Sequence, residues 1–147
     1  MDIQYLGNKN LLNLNKTAFL ASSTIPPDMV LKVYDWATGK HEGCVVSGFS
    51  SKLEKDVLHF LLKGKQPIIM VLARKMYKQI PQDLQSPLEE NRLLIISVSN
   101  SVRQSKATAL ARNKYICEMA DQIYFVGVNE KSSLFGLKTE YCTKAKT

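Results

Sequence analysis

Arg112-Asn113-Lys114 puts two cations and an amide within three residues, ahead of the apolar run 123–128, which reads as a buried strand. An α/β sheet places its ligand at strand ends, and guanidinium and ammonium groups there neutralise phosphates. A second segment points the same way. Cys44-Val45-Val46-Ser47 reads as a buried strand, Gly48-Phe49-Ser50-Ser51 as a turn, and residues 53–62 as the helix that follows. Small hydroxyl residues recur in the same setting, at Ser22-Ser23-Thr24, at Ser47 with Ser50 and Ser51, at residues 97–101 and at Ser132-Ser133. In a parallel sheet these ends share one edge, where helix N-terminal amides favour a phosphate or a carboxylate. Lys52, Arg103, Lys106, Arg112 and Lys114 fall near them in sequence, so the chemistry on offer is anion binding. The competing reading is that each serine caps a helix or makes a turn.

Bond-making chemistry finds no carrier. His41 in a polar turn and His59 on a helix pair with no nucleophile and read as solvated. There is no GxxxxGK[ST] loop, and the turn after the first apolar strand is Ala21-Ser22-Ser23-Thr24 rather than G-x-G-x-x-G. Acidic residues stand singly or in exposed pairs such as Glu89-Glu90, which gives neither a metal cage nor an acid and base. Cys44, Cys117 and Cys142 are odd in number and far apart, hence free thiols rather than a disulfide or zinc set. No cofactor, no metal and no catalytic residue is expected.

The elements that must position these residues are legible in the apolar pattern. With 147 residues, 45% of them hydrophobic, residues 1–147 suffice for one domain with one sizeable core. Short, nearly continuous apolar runs at 17–21, 43–47, 67–72, 93–97 and 122–128 predict strands buried on both faces, as in a parallel sheet. Helical spacing links Met29, Val30, Val33, Tyr34 and Ala37, then Leu53, Val57, Leu58, Leu61 and Leu62, then Leu110, Tyr115, Ile116 and Met119. Pro26-Pro27-Asp28 starts the first helix, and Ser50 or Ser51 with Glu54 gives the second a capping box. Residues 73–91, with Pro81 and Pro87, read as a long surface connection carrying a short helix, and the tail 138–147 as a frayed end. The expected fold class is α/β, three layers, with a mainly parallel sheet of about five strands and helices on both faces. Twenty Lys and Arg against thirteen Asp and Glu give a net charge of +7, which favours an anionic partner such as nucleic acid. No apolar run approaches the roughly 20 residues of a membrane span, and the start Met1-Asp2-Ile3-Gln4 lacks a signal peptide, so a cytoplasmic location is expected.

In order along the chain, Tyr5-x-Gly7-Asn8-x-x-Leu11-Leu12, Val45-Val46-Ser47-Gly48-Phe49, Ile69-Met70-Val71-Leu72, residues 93–97 and Arg112-Asn113-Lys114-x-Ile116 with Asp121 resemble the Rossmann-like core of the DNA processing protein A family (DprA, or Smf). The similarity runs from about Tyr5 to Leu134, and residues 112–128 match the family's Arg-Asn-Arg-Ile-Ile motif and following strand without a gap. That family binds single-stranded DNA and helps load a recombinase. The resemblance implies that Arg112 and Lys114 meet phosphates, that Asn113 fixes the loop, and that the Ser47-Gly48 turn approaches the nucleic-acid backbone. Phe49 would be either a stacking surface for a base or a core residue. A recombinase partner and a homodimer follow by resemblance alone.

Several positions depart from the family pattern. Its Gly-Ser-Arg after the first strand is Ala21-Ser22-Ser23 here, the Arg-Gly after its Ser-Gly turn is Ser51-Lys52, and the glutamate after Ser97 is Val98. The family's flanking helical and winged-helix modules have no counterpart in these residues. Two readings result: non-catalytic binding of single-stranded DNA through Ser22, Ser23, Ser47, Gly48, Phe49, Ser51, Lys52, Arg112, Asn113 and Lys114, or sensing of a small nucleotide-derived ligand in the same crevice. An enzyme like the phosphoribohydrolases of the wider group lacks its Pro-Gly-Gly-x-Gly-Thr loop here.

Overall fold

A computed structural model describes residues 3–145. The chain runs β1 (Gln4–Gly7), a 3-10 turn (Lys9–Asn13), β2 (Lys16–Ala21), α1 (Pro27–Thr38), β3 (Cys44–Ser47) and α2 (Lys52–Lys63). It continues through β4 (Ile68–Leu72), α3 (Gln82–Glu89), β5 (Leu93–Ser97), α4 (Lys106–Met119), β6 (Gln122–Val126) and α5 (Phe135–Glu140). The sheet order is β1-β5-β4-β3-β2-β6, with every pairing parallel except β1 against β5. The expected α/β fold is therefore present with six strands, the additional one being β1. Its four residues are mostly exposed at the sheet edge, so they lack the continuous apolar run that marked the other five.

Both faces of the parallel strands are covered, which is why their sequences read as unbroken apolar runs. Phe19, Val45, Met70 and Ile95 face one layer, with Val33 of α1, Val57 of α2 and Leu84 of α3. Leu20, Val46, Val71 and Ile96 face the other, with Ile116 and Cys117 of α4 and Leu137 of α5. Trp36 stacks on Phe19 with ring centroids 5.2 Å apart, and His41 rests on Trp36 while its Nε2 lies 2.6 Å from the Trp36 carbonyl. That contact corrects the reading of His41 as solvated. The tail is likewise docked through Ala145 rather than frayed: Ile123 N–H donates to Lys144 O (2.8 Å), and Lys144 Nζ donates to Cys117 O (3.0 Å). Lys146 and Thr147 lie outside the described residues.

The topology fixes where a site belongs. From β2 the chain steps outward through β3, β4 and β5, then crosses back under the sheet through α4 to lay β6 on the other side of β2. The connections leaving β2 and β6 diverge, and such a switch point opens a crevice outside the carboxyl ends of the two strands. β6 stops at Val126, two residues short of the expected end, because Gly127 turns the chain with φ 67° into that opening.

Gly43 enters β3 with φ 75°, and a Cβ there would overlap the backbone of Asn15. Gly43→Ala is expected to destabilise the fold by more than about 1 kcal/mol, read as a lowered denaturation midpoint.

Candidate anion-binding crevice at the sheet edge

The turn between β3 and α2 is closed by the chain itself. Glu54 is only 4% exposed; its Oε2 accepts from Ala21 N–H (3.0 Å) and its Oε1 from the N–H groups of Ser50 (3.0 Å) and Ser51 (3.2 Å). Ser51 Oγ accepts from Glu54 N–H (3.4 Å), completing the predicted capping box with Ser51 as N-cap. Ser47 Oγ accepts from Phe49 N–H (3.1 Å). A carboxylate thus occupies the Ser50 and Ser51 amides of the turn just ahead of α2, where a phosphate could otherwise find donors.

Arg112 lies beneath this turn and is only 2% exposed. Its Nη2 donates to Ser50 Oγ (3.0 Å), its Nη1 to Val71 O (3.4 Å), and its Nε to Asn113 Oδ1 (2.8 Å). Ser50 therefore bridges Glu54 and Arg112, through its amide to one and its hydroxyl to the other. Burial lowers the Arg112 pKa from its usual value, while the Glu54 charge acts in the opposite sense. A Cβ on Gly48 would overlap the Arg112 guanidinium, so the glycine at this turn makes room for an internal cation.

Several expected site residues are corrected accordingly. Phe49, at φ 50° and 5% exposed, packs with Leu53 and Val57 in the core and presents no face for stacking. Ser47 is fully buried. Arg112 and Asn113 sit mid-helix and brace one another rather than forming a strand mouth. Lys114 follows Arg112 by two residues, about 200° around α4, and is exposed on another face. Lys52 is exposed beside α1 and α2, paired with Asp56 at 3.6 Å. Serines 97 and 99 serve their own turn: Ser97 Oγ donates to Arg74 O (2.6 Å), and Ser99 Oγ accepts from Ser101 N–H (3.1 Å).

Ser22 and Ser23 remain available, and they face the switch point. There a crevice of about 1070 Å³ opens between the ends of β2 and β6. Lys106 from the first turn of α4, Lys131 from the loop after β6 and Lys138 from α5 line it with Ser22, Ser23 and Ser133. Among the described residues no Asp or Glu lines it, and none of the three lysines forms an ion pair. The Ser22, Ser23 and Thr24 hydroxyls make no hydrogen bond to the described residues, in contrast to those at Ser47 and Ser97. Unpaired ammonium groups beside free hydroxyls are the kind of donors that phosphate oxygens accept from. Lys131 and Lys138 escaped the sequence reading. Their signal was their position flanking and following Ser132-Ser133, just after a buried strand.

Comparison with solved structures matches this architecture throughout. The chain superposes on DNA processing protein A from Streptococcus pneumoniae with a TM-score of 0.77 at 18% identity, over 97% of this chain and 52% of that one. It superposes on the Helicobacter pylori protein with a TM-score of 0.73 at 20% identity, over 97% of this chain and 69% of that one. It carries the Rossmann-like fold of DNA processing protein A. No family model and no curated protein sequence matches the chain. It spans about half the length of the Streptococcus protein. No helix among the described residues is long and apolar enough to cross a membrane.

Because Gly48 exists to admit Arg112, Gly48→Ala is expected to cost about 1–3 kcal/mol by overpacking. The same substitution in an Arg112→Met background is expected to cost clearly less, as read by a double-mutant cycle on denaturant unfolding.

Proposed function

We propose that the chain binds single-stranded DNA, without catalysis, along the carboxyl edge of its sheet, with phosphates held in the β2/β6 crevice by Lys106, Lys131 and Lys138. The observation that carries this reading is the crevice lining, which among the described residues is three unpaired lysines with free hydroxyls and no carboxylate, at the topological switch point. Two further facts support it. The net charge is +7, and the Helicobacter pylori protein that shares the fold is described by its single-stranded DNA binding mode. In this reading Arg112 and Glu54 shape the edge and do not touch the ligand.

Oligonucleotide affinity by fluorescence polarisation is expected to fall steeply between about 50 and 200 mM salt. Replacing Lys106, Lys131 and Lys138 together by Ala is expected to lower the salt slope by about 2, since each phosphate neutralised on a single strand accounts for roughly 0.7 of that slope. The unfolding midpoint should stay unchanged. Binding indifferent to salt, or a mononucleotide that raises the midpoint where oligonucleotides do not, would overturn the proposal.

A further inference from the structure

At the opposite, amino edge of the sheet, the C-terminal ends of α1 and α2 flank an open groove of about 620 Å³. α1 begins beside the crevice at Pro27 and runs 12 residues, about 18 Å, before Thr38 reaches this groove. The floor is apolar, built from Ala37, Phe60, Leu61 and Pro67. Three exposed cations rim it: Lys40 after α1, Lys63 in the last turn of α2, and Lys65 just beyond. Among the described residues no Asp or Glu lines the groove, and Lys40 and Lys63 form no ion pair. Lys65 Nζ lies 3.8 Å from Glu90 Oε2, an exposed pair that contributes little.

Lysines at helix C-termini ordinarily answer the helix carbonyls, but here those carbonyls are taken. Arg92 Nη2 donates to Leu62 O (3.0 Å), and its Nη1 to Leu61 O (3.4 Å) and Gln66 O (3.3 Å). At the end of α1, Thr38 Oγ1 donates to Tyr34 O (3.1 Å), and Trp36 O accepts from Gly39 N–H (3.2 Å) with His41 Nε2 2.6 Å away. Lys40 and Lys63 are therefore left over, as charges around an apolar floor.

That combination selects a ligand by its chemistry. An apolar floor is filled by an aliphatic or aromatic side chain, and a cationic rim without competing carboxylates pairs with carboxylates on either side of it. Nucleic acid is served less well than in the crevice. Thr38 Oγ1 is committed to helix carbonyls, Gln66 Nε2 donates to Gly43 O (2.9 Å), and Phe60 packs on Tyr34 with ring centroids 5.0 Å apart. We propose that this groove docks an acidic segment of a protein partner, with one apolar side chain seated over Phe60 and Pro67 and flanking Asp or Glu residues held by Lys40 and Lys63. The docking site is separate from the crevice at the far edge, and both can be filled at once.

The test is fluorescence polarisation of the full chain with a labelled peptide Glu-Asp-Phe-Asp-Glu, compared with Glu-Asp-Ala-Asp-Glu. The Phe peptide is expected to bind about tenfold more tightly, the size of one buried aromatic side chain. Replacing Lys40→Glu and Lys63→Glu together is expected to weaken the Phe peptide by about tenfold or more, because attraction becomes repulsion. Both lysines are exposed, so the variant should fold; the two peptides on the unaltered chain give an independent reading. At about 150 mM salt, where charges are screened over roughly 8 Å, a saturating single-stranded oligonucleotide should leave the peptide bound. No binding of the Phe peptide, equal affinity for the two peptides, or binding insensitive to the double reversal would overturn the docking site. Displacement of the peptide by the oligonucleotide would overturn it too, by making the groove a nucleic-acid surface.

Discussion

The buried carboxylate of Glu54 is the constraint on which the geometry of the sheet edge depends. It gathers amides from the end of β2 and from the start of α2, two segments separated by a whole strand and helix. Taking a carboxylate out of water costs several kcal/mol unless its acceptor sites are filled, so this arrangement tolerates little local movement. Ser50 passes the constraint on to Arg112, whose guanidinium ties the turn to β4 through Val71 O. The two charges do not meet directly; a serine and a set of main-chain groups stand between them. Together they make the centre of the edge rigid and internally satisfied.

That satisfaction determines where an external anion finds donors. The Ser50 and Ser51 amides ahead of α2 already hold a carboxylate, and the nearest guanidinium is buried beneath them. One strand further along, the geometry is the reverse: among the described residues, hydroxyls without partners, ammonium groups without counter-ions, and a gap that the crossover to β6 creates. The same fold thus offers a closed anion position and an open one. The closed one is filled by the chain's own side chain.

Much of this was legible in the sequence, at the level where local rules operate. Strands buried on both faces left unbroken apolar runs, and the capping-box pattern of Ser50 or Ser51 with Glu54 announced the helix start. What local rules could not convey was long-range placement. Arg112 reads as a free cation in a string of residues, yet it shares the inward face of α4 with Ile116, one turn on, which is the periodic signal for burial. Gly48 reads as a turn that welcomes a ligand, and only the fold reveals that an arginine fills the space. Lys131 and Lys138 become neighbours of Lys106 because β6 returns to the side of β2, a topological fact no window of sequence contains.

Backbone amide chemical-shift mapping with a short single-stranded oligonucleotide tests the central claim most directly, because it reports the open and the closed position in one experiment. Perturbations are expected at Ser22, Ser23, Gly127, Lys131 and Ser133, with the amides of Phe49, Ser50 and Ser51 left where they are. Shifts concentrated on Phe49, Ser50 and Ser51, with the crevice residues silent, would show that the ligand displaces Glu54 and would contradict the account.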